Sequence, residues 1–575
     1  MPLPTYDQVC LSPTEPADTE PRLGYVLDEH RRVALAEVDN AKFSWFHVKV
    51  CMVAGIGFFT DAYDIFAINI AATMLGYVYG QHDPEERTLP QLTPAQELGI
   101  KVATPVGTLF GQLIFGHLAD RLGRKRMYGV ELIIMVIATF AQSVSGTGHA
   151  ESLIGVLIVW RFIMGLGIGG DYPLSAVIAS EFASTQIRGR MMTAVFANQG
   201  WGQCAAALVG LIVTAAYKQP ILNDQITDLK HVDFVWRILI GLGCVPGVAA
   251  MFFRITLPES PRFTMDIELN IKQASRDIYD SLGTESTYPH DAPVAQVRAP
   301  KAGFADSRRY FGKWENLKVL IGTSYSWFAL DIAFYGLGLN STVILEAIKF
   351  GTTNVSPDGP APKTLDVYNN LFNSCAGNLI LSLGLIPGYW MSFAFIDTWG
   401  RKPIQLMGFT VLTVLFITMG SAYHKLIVTS EATKGFVALY CLSNFFLNFG
   451  PNTTTFIVPG EVFPTRYRST GHGISAASGK LGAIIAQVSF YKLQDAKGSE
   501  NSIRLILLVF GIFMFTGVFS TLLIPEPKRR TLEELSNEDQ YGFLKEIGTS
   551  ADVHALVMGT GHNADPTAST SRTLS

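Results

Sequence analysis

Twelve apolar stretches, each long enough to cross a bilayer, run through this 575-residue chain. They fall at residues 47–79, 95–118, 127–146, 152–180, 191–217, 235–257, 317–349, 368–396, 403–424, 434–460, 470–491 and 503–524. A backbone in hydrocarbon has no water to bond to, so each stretch is predicted to be a membrane-spanning helix. Composition agrees: 48% of residues are hydrophobic and only 16% charged, too few charges for a chain that mostly faces water. The expected fold class is an all-α integral membrane protein with twelve transmembrane helices.

Basic residues near the span ends set the orientation. Arg121/Arg124/Lys125/Arg126, Arg188/Arg190, Arg401/Lys402 and Arg466/Arg468 follow spans 2, 4, 8 and 10, whereas the loops after spans 1 and 3 carry little positive charge. Both termini are therefore expected in the cytoplasm. The first forty residues are polar and show no cleavable signal, and "LDEHRRVALAEVDNAKF" reads as a surface helix leading into span 1. Six cysteines, most of them inside spans, have no metal-ligand spacing, so neither a disulfide framework nor a zinc site is indicated. The net charge of −4 is uninformative about partners.

One motif invites a soluble reading. In "RFIMGLGIGGDYPLSAVIASE", Gly165, Gly167 and Gly170 have the G-x-G-x-x-G spacing of a dinucleotide loop. That loop needs a strand before it, and here the preceding run is "ESLIGVLIVW" inside span 4. Gly165, Gly167, Gly169 and Gly170 are read instead as small residues that let helices approach closely, with Pro173 able to bend the helix beyond them.

The chain also repeats itself. "DRLGRKR" at 120–126 returns as "DTWGRKP" at 397–403, an offset of 277 from Asp120 to Asp397; Glu181 with Arg188 returns as Glu461 with Arg468, an offset of 280; "PESPR" at 258–262 is answered by "PEPKR" at 525–529. Three motifs in one order on one face indicate two parallel six-span halves. The expected organisation is an N-terminal segment 1–44, a first half 45–257, a central cytoplasmic loop 258–316, a second half 317–524, and a Ser/Thr-rich tail 525–575 of disordered composition.

These motifs resemble the major facilitator superfamily. "GHLADRLGRKR" is its familiar loop signature, and "PESPR" with the Glu–Arg pairs resembles the branch that includes sugar porters. "GGDYPLSAVIASE", "DIAFYGLGLN", "NFGPNTTTFIVPGEVFPTRYRSTGHGISAASGKLGA" and Gln199 in "ANQGWGQ" are similar to the proton-coupled inorganic phosphate permeases of fungi and plants, over about residues 45 to 530.

In the loops, Asp120 with Arg121, Arg124 and Lys125, and Asp397 with Arg401 and Lys402, can form charge-assisted bonds between neighbouring helix ends. With Glu181, Arg188, Glu461 and Arg468 they make a candidate cytoplasmic latch; a purely topological role at a membrane face is the plainer alternative. Ionisable groups inside spans are more informative, because hydrocarbon makes them costly. Span 1 carries Asp61 and Asp64 on one helix face, span 3 Glu131, span 4 Arg161 and Asp171, span 7 Asp331 and span 11 Lys480. Tyr172 and Asn452 share the offset of 280, and the same shift carries Gln199 to Gly479, beside Lys480. Matching depths in two halves point to a midplane site between them. Trp327, Asp331 and Tyr335 form an i, i+4, i+8 stripe on span 7. One cation among many neutral donors suits a compact oxyanion. The permease resemblance implies phosphate contact at Tyr172, Gln199, Trp327, Asp331, Tyr335, Asn452 and Lys480. Asp61, Asp64, Asp171 and Asp331 are the expected proton carriers, tuned by Glu131 and Arg161.

The expected function is uptake of inorganic phosphate with protons by alternating access across the plasma membrane. A phosphate transceptor and a sugar or organic-ion porter are the alternatives; a neutral sugar gives Lys480 and Asp331 no task. No nucleophile–base pair, metal cluster or nucleotide loop suggests an enzyme, and no cofactor or nucleic acid is expected. Regulatory kinases or ubiquitin machinery would act on the central loop and tail.

Overall fold

The computed structural model describes residues 35–80, 89–148, 151–254, 258–268, 304–348, 363–497 and 499–536, with Gln273 and Arg276. Twelve spans follow one another: α1 Trp45–Tyr79, α2 Pro94–Leu122, α3 Arg124–Val144, α4 Leu153–Phe182, α5 Arg188–Ala216, α6 Lys230–Arg254, α7 Trp314–Gly338 with its bent extension Ser341–Ala347, α8 Thr364–Trp399, α9 Arg401–Ser421, α10 as Ser430–Asn448 plus Pro451–Val462, α11 Arg468–Lys497 and α12 Ser499–Leu522. The chain is a multi-pass integral membrane protein with two six-helix halves, α1–α6 and α7–α12. Nine of the described helices are long and apolar enough to cross a membrane, and α7 with its extension, bent by 58°, makes a tenth. The remaining two, α10 and α11, fall short because they carry polar groups: α10 is broken at Phe449–Gly450, and α11 holds Ser469, His472, Ser475 and Lys480.

α1 is apolar on every side apart from a few buried polar residues such as Asp61, Asp64 and Asn69, and it is more deeply buried than α6 or α8. An apolar helix of this kind belongs inside a bundle. α2 and α4 meet through the glycines singled out above. A Cβ on Gly165 or Gly169 would strike the carbonyls of Thr104 and Thr108, and one on Gly107 or Gly111 those of Phe162 and Leu166. These are packing glycines, and α4 runs through Pro173 as a single helix.

The repeated loops explain each other. Gly123 and Gly400 have φ of +99° and +103°, a turn that favours glycine and lets α3 and α9 start at once. Below each turn sits the glutamate of the other repeated motif. Glu259 accepts from the backbone N–H groups of Arg124 (3.1 Å) and Lys125 (3.2 Å), and Glu526 from those of Arg401 (3.1 Å) and Lys402 (2.8 Å). A carboxylate at a helix N-terminus satisfies orphan donors and complements the dipole.

The tail boundary differs from the expectation. Residues 525–536 pack on the bundle: buried Arg262 holds Glu533 at 3.1 Å and Asp39 at 2.8 Å, and donates to the Glu181 carbonyl. Burial alone would raise the Glu533 carboxyl, but Arg262 and Arg468 outweigh it and hold it at about 2. Of the predicted surface helix, residues 35–43 are described, and 35–39 of them are helical. Residues 537–575 and most of 269–303, where regulatory machinery was expected to act, lie outside the described residues.

Candidate binding site between the halves

Loop motifs first fix the two halves on the basic face. Asp120, at the end of α2, accepts from Ser469 N (3.2 Å), Thr470 N (2.7 Å) and Thr470 Oγ1 (2.8 Å) at the start of α11. Asp397, at the end of α8, does the same for Gly189 N (3.2 Å) and Arg190 N (2.9 Å) at the start of α5. Each aspartate thus caps a helix of the opposite half. Arg124 pairs with Asp120 (3.3 Å) and Glu181 (3.5 Å), and Arg401 with Asp397 (2.9 Å) and Glu461 (2.8 Å). Glu181 takes Arg468 from the other half at 2.7 Å, while Arg188 turns to Asp39 and the Arg530 carbonyl. Arg121 was expected in this latch but is exposed and makes no ion pair among the described residues; it lies on the solvent side of α2, three residues short of Arg124.

The polar residues that the repeat offsets and the span 7 stripe singled out are brought together between the halves. Lys480 Nζ bonds Asp331 Oδ2 at 2.8 Å and sits 4.3 Å from the Tyr335 ring and 4.9 Å from the Tyr172 ring. The two rings add cation–π contacts to the ion pair. Gln199 donates to Tyr172 at 3.2 Å, and the tyrosine hydroxyls stand 3.5 Å apart. Gly479 makes room for this arrangement, since a Cβ there would lie 2.5 Å from Trp327 Cδ1 and 2.9 Å from Asp331 Oδ2. Trp327 itself packs edge-on against His472 at 5.3 Å. None of Tyr172, Gln199, Trp327, Asp331, Tyr335, Asn452 or Lys480 is more than 3% exposed. Phe58, Phe196 and Phe456 cover the cluster toward the basic face, the last two stacked at 4.3 Å across the halves. Phe66 against Tyr335, and Asn69 bonded to Ser341 and Asn378, cover it from the other end.

One member of the network was not foreseen. Tyr389 on α8 donates to Gln199 Oε1 (2.9 Å) and accepts from Asn452 Nδ2 (2.9 Å), joining first half to second. The break in α10 positions Asn452: Ser392 (2.7 Å) and Thr453 (2.6 Å) satisfy the Asn448 carbonyl freed there. Tyr389 lies in "GLIPGYWMSF", and the only hint it gave was a hydroxyl within an apolar span.

The carboxylates of the first half form a second buried cluster, with a different cation from the one expected. Arg254, at the end of α6, bonds Asp171 Oδ2 at 2.8 Å and Glu131 Oε1, and lies 3.7 Å over the Tyr128 ring. Arg161 instead donates to the Ile100 carbonyl of α2 at 2.9 Å and reaches Asp64 only electrostatically. Ten residues separate Arg161 from Asp171, almost three helical turns or about 15 Å of rise, so the two cannot meet. Asp64 accepts from Thr139 (2.7 Å), whereas among the described residues neither oxygen of Asp61 has a hydrogen-bond partner. Asp61 is within electrostatic reach of Glu131 and Asp171 on one side and of Tyr172 and Tyr335 on the other. Arg254→Lys should lower the unfolding temperature of the purified protein, because an ammonium cannot bridge both carboxylates and stack on Tyr128. The expected loss is about 1.5–3 kcal/mol, one charged hydrogen bond; an unchanged unfolding temperature would show that the bridge contributes nothing.

Among the described residues no group of His, Cys, Asp and Glu is placed to hold a metal.

The profile described as "Sugar (and other) transporter" matches residues 50–538. The chain is 47% identical over 535 residues to the "Inorganic phosphate transporter PHO84" of Saccharomyces cerevisiae, covering 88% of this chain and 87% of that one. It is 47% identical over 532 residues to the "Repressible high-affinity phosphate permease" of Neurospora crassa, covering 89% and 90%. The "Probable inorganic phosphate transporter 1-2" of Arabidopsis thaliana is 38% identical, over 89% of this chain and 98% of that one. Among solved structures, the proton:xylose symporter XylE bound to 6-bromo-6-deoxy-D-glucose superposes with a TM-score of 0.63 at 18% identity, covering 86% of this chain and 99% of that one.

Proposed function

The chain belongs to the sugar (and other) transporter family of the major facilitator superfamily, and from that membership we propose that it imports inorganic phosphate together with protons by alternating access. The observation that carries the reading is the Lys480–Asp331 pair, buried between the halves among Tyr172, Tyr335 and Gln199, in a chain 47% identical to phosphate transporters. A buried ion pair is costly to desolvate and adds little stability, which points to a use for its charges. Here the use is an anion and a proton: phosphate takes Lys480 as Asp331 takes the proton, so the net charge at the site changes little on loading. Trp327 joins the contact set, and Asn452 is tied to it through the Tyr389 hydroxyl.

Asp61 is the natural relay to the first half, since it is within electrostatic reach of both the tyrosines of the site and the Glu131–Arg254–Asp171 cluster, and among the described residues its carboxylate has no hydrogen-bond partner. Asp64, Asp171 and Glu131 share the proton-handling role, with Arg161 acting on Asp64. The Asp120 and Asp397 caps, with Arg124, Glu181, Arg188, Arg401, Glu461 and Arg468, close the cytoplasmic face and must separate for release inward. The protein works in the plasma membrane with both termini in the cytoplasm.

Uptake of labelled phosphate into proteoliposomes tests this. An acidic exterior should drive accumulation, collapse of the proton gradient should end it, and arsenate should compete. Labelled hexose entering while phosphate is ignored would overturn the assignment.

A further inference from the structure

Resting on the phosphate reading, we infer that the Tyr389 hydroxyl is a further contact for the transported anion and the switch that trades a bond between the halves for a bond to substrate. The argument is a count of hydrogens. A phenol has one proton to give and can accept in return; Tyr389 gives its proton to Gln199 Oε1 and accepts from Asn452 Nδ2, each at 2.9 Å. The second amide hydrogen of Asn452 goes to Asn448 Oδ1 at 2.7 Å. Both donors of Asn452 are therefore committed, although this residue was expected to donate to phosphate. Gln199 is held at both ends, by Tyr172 and by Tyr389.

An amide must swing heavy atoms to change partners; a phenol needs only to rotate its proton about the C–O bond. Protonated phosphate carries P–O–H donors as well as anionic oxygens. On its arrival Gln199 Oε1 accepts a hydrogen bond from a P–O–H group, and Tyr389 turns its own to an anionic oxygen. One neutral bond is broken and two to the anion are formed, of which the one from Tyr389 is charge-assisted. Tyr389 is only 1% exposed, its ring packs against Phe196 at 5.9 Å, and a Cβ on Gly200 would come within 2.9 Å of it. The ring is thus fixed while the hydroxyl is free to choose. Because Gln199 stands on α5 and Tyr389 on α8, the exchange also breaks a direct tie between the halves, so loading of the site and release of that tie are one event.

Tyr389→Phe removes the hydroxyl and keeps the ring packing. In proteoliposomes with an imposed proton gradient it should raise KM for phosphate about tenfold, the loss of one charge-assisted bond. The same rise should appear in the phosphate concentration needed to raise the unfolding temperature of the purified protein by half its maximum, which reads binding even if transport is lost. In a Gln199→Met background Tyr389→Phe should still cost severalfold, less than in the parent because the two are coupled, since a group that touches the anion keeps its own contact when Gln199 is gone. A KM and half-stabilising concentration within twofold of the parent overturn the inference, and so does a penalty that vanishes in the Gln199→Met background. A parent protein that takes up no phosphate at all fails the underlying phosphate reading instead, and is told apart by that control.

Discussion

Lys480→Ala should abolish detectable phosphate binding. In the parent the ammonium is the cation of a site otherwise lined by neutral donors, and it is also the partner of Asp331 at 2.8 Å. Truncation therefore removes the attraction for the anion and leaves a buried carboxylate without a counter-charge. Breaking a buried pair this way costs about 3–5 kcal/mol, which is roughly a hundredfold to a few thousandfold in affinity. Lys480→Arg should fail in part. A guanidinium is planar and wide, and the ammonium it replaces lies between two tyrosine rings at 4.3 and 4.9 Å. Isothermal titration or phosphate-induced thermal stabilisation measures both variants. A Lys480→Ala protein that binds phosphate as tightly as the parent would reassign the lysine to structure.

Asp331→Asn should bind phosphate yet lose the ability to concentrate it on a proton gradient. An ionised Asp331 competes with phosphate for Lys480 and repels it; a protonated one releases the lysine and can donate to the anion. Proton and phosphate thus favour each other's binding, and that linkage is reciprocal. The sign follows: in the parent, affinity rises as pH falls through the titration of Asp331, and the rise disappears in Asp331→Asn, which cannot titrate. Uptake against a phosphate gradient, with and without an imposed proton gradient, gives the decisive comparison. An Asp331→Asn protein that still accumulates phosphate when driven by protons alone would remove this carboxyl from coupling and leave Asp61 and its neighbours to carry it.

Much of the architecture was readable along the chain because hydrocarbon imposes a one-dimensional code. Length and apolarity placed all twelve spans within a few residues of the helices, and α10 and α11, the two least apolar, still showed as runs. The repeat singled out Tyr172, Asn452 and Lys480, since an offset shared by two halves pairs residues at equivalent helix positions. Charges inside spans are costly wherever they occur, so Asp331 and Lys480 stood out without a structure.

Depth does not say which side of a helix a residue takes, nor which helix stands opposite. Arg161 was the nearest cation to Asp171 in sequence, but the bundle brings Arg254 to Asp171 and Glu131 from the end of α6, 83 residues beyond the first and 123 beyond the second. The glutamates of "PESPR" and "PEPKR" were visible as a repeat, while their task of capping the helices that follow Gly123 and Gly400 was not. Tyr389 gave no signal at all beyond its hydroxyl, and only the approach of α8 to α5 and α10 makes it the bridge between Gln199 and Asn452. The sequence by itself determined where polar groups lie along the membrane normal, because burial in hydrocarbon penalises each residue separately. Their partners were decided by tertiary structure alone, because a hydrogen bond or ion pair forms within about 3 Å between helix faces whose meeting depends on every other helix in the bundle.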